Sequence, residues 1–126
     1  MSETQKGISN EEVIRIARGC GRFLAEKKAR DIRVIDLRRV NSYLDYFIIM
    51  TGNSHVHCKS LVKETRNYMH EQGLREHGKN AVSMDTNWII LDFNHIIVHI
   101  FMEEARNYYS LENLWADGDN ISLDDK

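Results

Sequence analysis

The sequence predicts a single α/β domain in which a mixed β-sheet of about five strands is flanked by helices. Three observations lead to this prediction. The chain has 126 residues, which is enough for one hydrophobic core but not for two. Segments with helical spacing of apolar residues alternate with short runs rich in β-branched and aromatic residues. One run, residues 46–51, is apolar without alternation, which is typical of a central strand covered on both faces.

The first helix is predicted to begin after Ser9. Ser9 and Glu12 form a capping box, in which the side chain of each residue accepts a hydrogen bond from the backbone N–H of the other. Gly19 and Gly21 weaken the middle of this helix, so we expect them to mark close packing against a neighbouring element. The inner face is predicted from the apolar residues that recur at helical spacing: Val13, Ile16, Ala17, Cys20 and Leu24.

A strand at residues 31–37 and the central strand at 46–51 are predicted to follow, and a short strand is expected at 82–84. Between them, Ser54 can cap a second helix, and Gly73 stands where a left-handed residue ends it. The inner stripe of this helix is predicted to be Cys58, Leu61, Val62, Thr65 and Met69.

Residues 88–93 and 96–101 are predicted to form a hairpin, because only Asn94 and His95 separate these two β-rich runs. In this register Phe93 pairs with Ile96. One face is then wholly apolar and predicts a core face: Phe93, Leu91, Ile89, Ile96, Val98 and Ile100. The other face is mixed: Trp88, Ile90, Asp92, Ile97, His99 and Phe101.

Two interpretations of the mixed face remain open. It can lie under a helix, with Asp92 and His99 hydrogen-bonded to each other diagonally. Alternatively it is open to a partner protein, since interfaces concentrate aromatic anchors beside a few polar groups.

After the hairpin, a helix or two short turns are predicted over residues 103–115. Residues 117–126 are acidic and are predicted to be a disordered tail, so that the domain spans residues 1–116.

Few residues have the spacing that catalysis or metal binding requires. His55 and His57 fall in the first turn of a predicted helix, where side chains at i and i+2 diverge. Cys58 lies on an apolar stripe and is predicted to be a core residue. The candidate carboxylates form no paired motif: Asp36, Asp45, Asp85 and Asp92. The sequence therefore predicts no catalytic residue, no metal and no cofactor.

Charge and hydropathy bound the possible partners. The net charge is −2, with an acidic excess in residues 103–126 and no basic stripe, so we expect no direct sequence-specific binding to nucleic acid. No apolar run is long enough to span a bilayer, so no membrane partner is expected. Cys20 and Cys58 lie in predicted helices, which favours reduced thiols and a cytoplasmic location.

Three blocks carry a resemblance to a known family. Residues 45–54 read D-Y-F-I-I-M-T-G-N-S, and residues 88–101 contain W-I-I-L-D-F followed by I-V-H-I-F. The third block follows the pattern R-x-x-Y-x-L-E-x-L-W: Arg106, Tyr109, Leu111, Glu112, Leu114 and Trp115. In order and spacing, over residues 9–116, these blocks resemble the ribosomal silencing factor (Iojap) family.

The resemblance implies a translational repressor. Family members bind the large ribosomal subunit through ribosomal protein fourteen (uL14) and sterically block joining of the small subunit when nutrients are short. Organellar relatives act in assembly of the large subunit. The implied fold is nucleotidyltransferase-like, without catalytic carboxylates. Two departures are present: Asn94-His95 replaces the usual Gly-Asp turn, and Val56-His57 replaces Arg-His, so that no role is carried onto Val56.

The expected partner-binding surface combines the mixed hairpin face with the third block. Its anchor is predicted to consist of Trp88, Ile97, His99 and Phe101. The polar rim, or the groups that orient the anchor, are Asp92, Arg106 and Tyr109. Leu111 and Trp115 are expected to pack the last helix beside it. Two alternatives remain: a large-subunit assembly factor that makes the same contact, and a nucleotidyltransferase-like enzyme that uses Asp36, Asp45 or Asp92. A homodimer of the free protein is also possible.

Overall fold

The computed structural model of the protein describes residues 8–78 and 87–123. Within these ranges, the chain forms four helices and one five-stranded sheet. In chain order the elements are α1 (Asn10–Glu26), β1 (Arg30–Asp36), β2 (Tyr46–Gly52), α2 (His55–Glu71), β3 (Trp88–Asp92), β4 (Ile96–Met102), α3 (Glu103–Tyr109), α4 (Leu111–Leu114) and β5 (Asp119–Ile121). The strand expected at residues 82–84, and Asp85, lie outside the described residues.

The sheet has the strand order β3-β4-β2-β1-β5. The central strands β2 and β4 are parallel, whereas the other neighbours are antiparallel, so the sheet is mixed, as predicted. Every residue of β2 is buried. The unbroken apolar run at residues 46–51 therefore marks the central strand that it predicts.

Helices cover both faces of the sheet. Because successive side chains of a strand point to opposite faces, β2 contributes to two separate hydrophobic clusters. Tyr46, Ile48 and Met50 pack with the inner stripes of α1 and α2. Phe47 and Ile49 pack with residues of α3 and α4 on the opposite face. The predicted sheet of about five strands flanked by helices is confirmed.

The first helix begins as its capping box predicts. The Ser9 hydroxyl accepts a hydrogen bond from the backbone N–H of Glu12 at 3.1 Å, and all five predicted inner residues are buried. A Cβ atom at Gly19 would meet the hydroxyl of Tyr68, and one at Gly21 would lie 2.6 Å from a methyl carbon of Leu123. Both glycines therefore mark close approaches to other elements.

The second helix is delimited by the predicted residues. The Ser54 hydroxyl accepts from the backbone N–H of His57 at 3.0 Å, and Gly73 has a φ of +85° just beyond the helix end. Gly52 precedes the helix, and a Cβ atom there would lie 2.6 Å from the Cys58 sulfur. The predicted stripe faces the core, with Val62 half-buried and the other four residues buried.

The hairpin has the predicted register, from Trp88 opposite Phe101 to Asp92 opposite Ile97. Asn94 takes the positive φ that the two-residue turn requires, at +75°. The six residues of the predicted core face are all buried. The two-residue connection and the alternation of apolar residues thus determine the register of this hairpin.

The last part of the chain differs from the prediction at its end. Residues 103–115 form two short helices, joined at Ser110 with φ +48° and ψ +49°. The expected disorder of residues 117–126 is wrong for the described part, because β5 pairs with β1 and Leu123 packs on α1. Arg18 and Arg22 donate hydrogen bonds to the backbone oxygens of Ser122 and Leu123. These basic residues and apolar contacts hold a segment whose composition alone resembles a mobile tail.

Candidate partner-binding surface

Trp88 lies where the mixed hairpin face meets the last helices. Its indole is half-buried, with ring centroids 5.0 Å from Phe101 below and 4.6 Å from Tyr109 of α3. The indole N–H donates to Nδ1 of His99 at 3.1 Å. Trp88 therefore connects the buried sheet to the outer surface of α3.

His99 is a buried, neutral histidine. Burial lowers its pKa to about 3. Because Nδ1 accepts from Trp88, the neutral ring carries its proton on Nε2. That nitrogen is buried and has no hydrogen-bond partner within the described residues. The diagonal bond expected between Asp92 and His99 is not formed, since Asp92 instead accepts from the backbone N–H of Asn94 at 2.7 Å.

The mixed hairpin face is covered at one end and accessible at the other. Phe101 and His99 are buried beneath the layer that α3 and α4 provide, and Leu111 of α4 is also buried. The expectation that Phe101 and His99 form part of an open anchor is therefore wrong. Trp88, Ile90, Asp92 and Ile97 remain half-exposed.

Arg106 is a buried charge that holds the two short helices to the sheet. Its guanidinium donates to Glu112 through Nε and Nη2, at 2.8 and 2.6 Å, and to the Thr51 hydroxyl through Nη1 at 2.8 Å. Burial tends to raise the pKa of Glu112, but the bonds and charge of Arg106 and the charge of Arg33 lower it overall. Arg106 therefore orients the corner between α3 and α4 rather than forming an exposed rim.

The accessible members of the predicted set are Trp88, Asp92, Ile97, Tyr109 and Trp115. Tyr109 is 41% exposed, and Trp115 packs its ring against Phe47 at a centroid distance of 6.0 Å. Phe47 in turn pairs with Ile97 across β2 and β4. We call these five residues the hairpin–corner surface.

Two histidines at the positions where the chain departs from the usual family pattern have structural roles: His95 is part of the replaced turn, and His57 follows the replaced residue Val56. His95, in the hairpin turn, makes a hydrogen bond from Nδ1 to the Asp45 carboxylate at 2.8 Å. His57 accepts from the backbone N–H of Asn53 through Nδ1 at 2.9 Å, and its Nε2 contacts the Lys27 backbone oxygen at 2.9 Å. Val56 is exposed. Sequence reasoning missed Thr51 and Glu112 as supports of the surface, because the contacts of Arg106 with them arise only in the tertiary structure.

The three described carboxylates that were considered for catalysis each contact a neighbour. Asp36 binds the Arg38 guanidinium at 2.7 and 3.0 Å, Asp45 binds His95, and Asp92 accepts from the hairpin turn. The part of the chain that the structure describes holds no group of three or more His, Cys, Asp or Glu residues arranged for a metal ion. Among the described helices, none is long and apolar enough to cross a membrane.

Comparisons with known proteins point to one family. Residues 10–126 match the family model described as ribosomal silencing factor during starvation. The chain is 30% identical to a ribosomal silencing factor from Bacillus subtilis over 99 residues, which cover 79% of this chain and 83% of that protein. It is 33% identical over 100 residues to a mouse protein named for mitochondrial assembly of the ribosomal large subunit, covering 75% of this chain and 42% of that one.

A solved structure supports the fold. A crystal structure of a protein from Chromobacterium violaceum superimposes with a TM-score of 0.74 at 25% sequence identity. The match covers 91% of this chain and 92% of that one. The fold described above therefore extends over nearly the whole of both chains.

Proposed function

The chain belongs to the family of ribosomal silencing factors, and from this premise we propose that it is a translational repressor that binds the large ribosomal subunit. In this proposal it binds ribosomal protein uL14 in the cytoplasm and sterically blocks association with the small subunit under nutrient limitation. The observation that carries the proposal is the family match over residues 10–126. The resemblance in the three sequence blocks is thereby confirmed.

We propose that the hairpin–corner surface makes the contact with uL14. It combines aromatic and aliphatic side chains with one carboxylate, which is the composition that protein interfaces favour. Arg106, His99, Phe101 and Leu111 support it from below. Tyr109 is the best anchor to test because it is exposed. Ile97, like Trp88, is half-buried and also packs against the core, so its variant needs a melting curve as a control for stability.

Co-sedimentation with separated ribosomal subunits tests this proposal. The protein is expected to sediment with the large subunit and not with the small one. Tyr109→Ala and Ile97→Asp are each expected to weaken binding by about five- to thirtyfold, the effect of removing an interface anchor worth roughly 1–2 kcal/mol. Binding to the small subunit alone, or to neither, would overturn the proposal.

Tyr108→Ala is a matched control for Tyr109→Ala. Tyr108 is the preceding residue of α3 and is 82% exposed, yet it lies outside the hairpin–corner surface. This variant should bind like the wild type. Equal loss in both tyrosine variants would locate the contact elsewhere on α3, and melting curves of all variants would exclude unfolding as the cause.

A second candidate function is assembly of the large subunit through the same contact. The name of the mouse relative favours it. Subunit profiles after depletion of the protein distinguish the two functions. Normal subunits with excess translation in starvation indicate silencing, whereas accumulated precursor particles indicate assembly.

We propose that the chain acts by binding and not by catalysis, on a nucleotidyltransferase-like fold that lacks the catalytic carboxylates. The family is one of ribosome-associated regulators. Magnesium-dependent turnover of ATP or CTP that disappears in Asp36→Asn, Asp45→Asn or Asp92→Asn would contradict this.

We also propose that free copies dimerise through the hairpin–corner surface. Sedimentation velocity should then show a dimer in the wild type that Ile97→Asp dissociates.

A further inference from the structure

A polar cavity of about 500 Å³ lies between β1, the α3–α4 corner and the segment that leads into β5. Its volume is in the range of small-molecule sites. Thr51 and Arg106, both buried, are among its lining residues, and the Trp115 ring supplies one wall. The cavity is thus built from several elements of the fold and is separate from the half-exposed hairpin residues.

Strand β1 directs three alternate residues toward this cavity: Asp31, Arg33 and Ile35. The pairing of β1 with β2 shifts between Arg30 and Arg33, which indicates a bulge. Asp31 lies in this bulge with a φ of +52°, in the left-handed region that aspartate and asparagine adopt more readily than most other residues. The bulge and this backbone conformation together place Asp31 at the cavity.

Most charges at the cavity are already paired. Glu112 is bonded to Arg106, and Glu103 forms an ion pair with Arg30 at 3.1 Å. Arg33 and Asp31 are the remaining lining charges. Both are exposed and neither side chain forms a hydrogen bond or ion pair within the described residues, although the charge of Arg33 also acts on the nearby Glu112. One cation and one anion therefore remain available to a ligand.

The other walls can donate and accept hydrogen bonds. Asn107, Asn113 and Asn120 present amides, and Ser110 presents a hydroxyl. Trp115 adds an aromatic surface against which an apolar or planar group can pack. A small, strongly polar ligand with both charges fits these walls better than a purely apolar one.

We propose that this cavity binds a free amino acid or a closely similar zwitterion, whose carboxylate pairs with Arg33 and whose ammonium group pairs with Asp31. A ligand with a single charge would leave one of the two side chains unpaired. Because the ligand would contact both β1 and the α3–α4 corner, it would fix the corner that carries Tyr109 and Trp115. Fixing this corner would in turn affect subunit binding. Only this consequence for subunit binding rests on the proposed function, whereas ligand binding itself does not.

Isothermal titration calorimetry of the full-length protein with each of the twenty free L-amino acids tests the binding. At least one is expected to bind saturably. Its N-acetyl derivative lacks the ammonium group and its carboxamide lacks the carboxylate. Each derivative is expected to bind about tenfold or more weakly, as for the loss of a charged hydrogen bond. The proposal is overturned if no amino acid binds, or if both derivatives bind as well as the parent.

Two variants and one control assign the binding to this cavity. Arg33→Gln and Asp31→Asn are expected to weaken binding about tenfold or more; asparagine tolerates the left-handed backbone at position 31. Lys63→Gln on the exposed side of α2 should bind like the wild type. Unchanged binding in the two cavity variants would contradict the proposed site. Because the assay contains no ribosome, failure of the subunit experiment would leave its result unaffected.

Discussion

Trp88 reaches both the buried and the exposed parts of the molecule. Its ring contacts Phe101 in the core and Tyr109 at the surface, and its N–H fixes the tautomer of His99. Truncation of Trp88 would therefore remove a core contact as well as a surface one. Loss of subunit binding in Trp88→Ala cannot be attributed to the interface unless the melting temperature is unchanged.

The buried histidine makes stability depend on pH. The pKa of His99 is about 3 in the folded protein, below its ordinary value of 6.5, because burial penalises the charged ring. The unfolded chain then binds a proton that the folded chain does not, so stability falls as pH drops from 6.5 toward 3. Between pH 7.5 and pH 5, we expect His99 to account for a loss of about 2 kcal/mol in the free energy of unfolding.

His99→Gln isolates this effect, since glutamine does not titrate and its oxygen can still accept from Trp88. Urea denaturation of both proteins at the two pH values gives the comparison. The stability difference should shift in favour of the variant at pH 5. A difference that is the same at both pH values would show that His99 becomes protonated without cost.

At the scale of elements, two short segments pack against the sheet or extend it. The α3–α4 corner covers one end of the hairpin face, and β5 extends the opposite edge of the sheet by three residues. Neither segment is long enough to be stable alone. Each is held by a few side chains from elsewhere, such as Arg106 for the corner and Arg22 for the residues after β5.

Leu123→Ala tests whether the segment after β5 stabilises the domain. Leu123 packs against α1 beside Gly21, so we expect its truncation to lower the free energy of unfolding by about 1–2 kcal/mol, less than for a fully buried leucine. Chemical denaturation measures the change. Asp117→Asn, at an exposed position just before β5, should have little effect. Equal stabilities of Leu123→Ala and wild type would indicate that the segment is detached in solution.

The elements that the sequence predicts well are those with local signals. The hairpin register follows from a two-residue turn and from apolar residues at every second position, and α1 follows from Ser9 and a regular apolar spacing. Strand β5 has no such signal, because Asp119-Asn120-Ile121 does not alternate and is surrounded by acidic residues. Its pairing with β1 depends on contacts with residues far away in sequence, such as Arg39 with Asp119.

The surface was predicted only in part, for a similar reason. Register places Trp88, His99 and Phe101 on one face, but it does not tell which end of that face the following helices cover. The turn at Ser110 brings α4 back across the sheet and buries Phe101 and Leu111. The positions were therefore predictable from the hairpin, whereas their exposure depends on the direction of the last helices.

For the whole molecule, the two helical layers and the sheet enclose both cysteines. Cys20 of α1 and Cys58 of α2 are free and buried, and burial raises the pKa of Cys20 to about 12. Since thiolates are the reactive form, neither residue should react quickly in the folded protein. Their labelling therefore reports how the layer of α1 and α2 opens.

We expect a thiol reagent to modify Cys20 and Cys58 at the same slow rate in native buffer, because exposure of either requires opening of the common core. Mass spectrometry of peptides labelled over time measures the two rates. Both should rise together through the denaturation transition. Earlier labelling of Cys58 would show instead that α2 separates from the sheet before the rest of the domain unfolds.

The parallel pairing of β2 with β4 has a consequence for folding kinetics. These central strands are distant in the chain, so the long loop between them must close, at a cost in entropy, before their contacts form. The outer strand β5 comes from residues 119–121, far along the chain from its partner β1. During synthesis, the edge of β1 therefore remains unpaired until residues 119–121 have been made. A nascent chain that lacks residues 119–121 exposes a strand edge available to other strands, and chaperone binding or aggregation would compete with completion of the sheet at that stage.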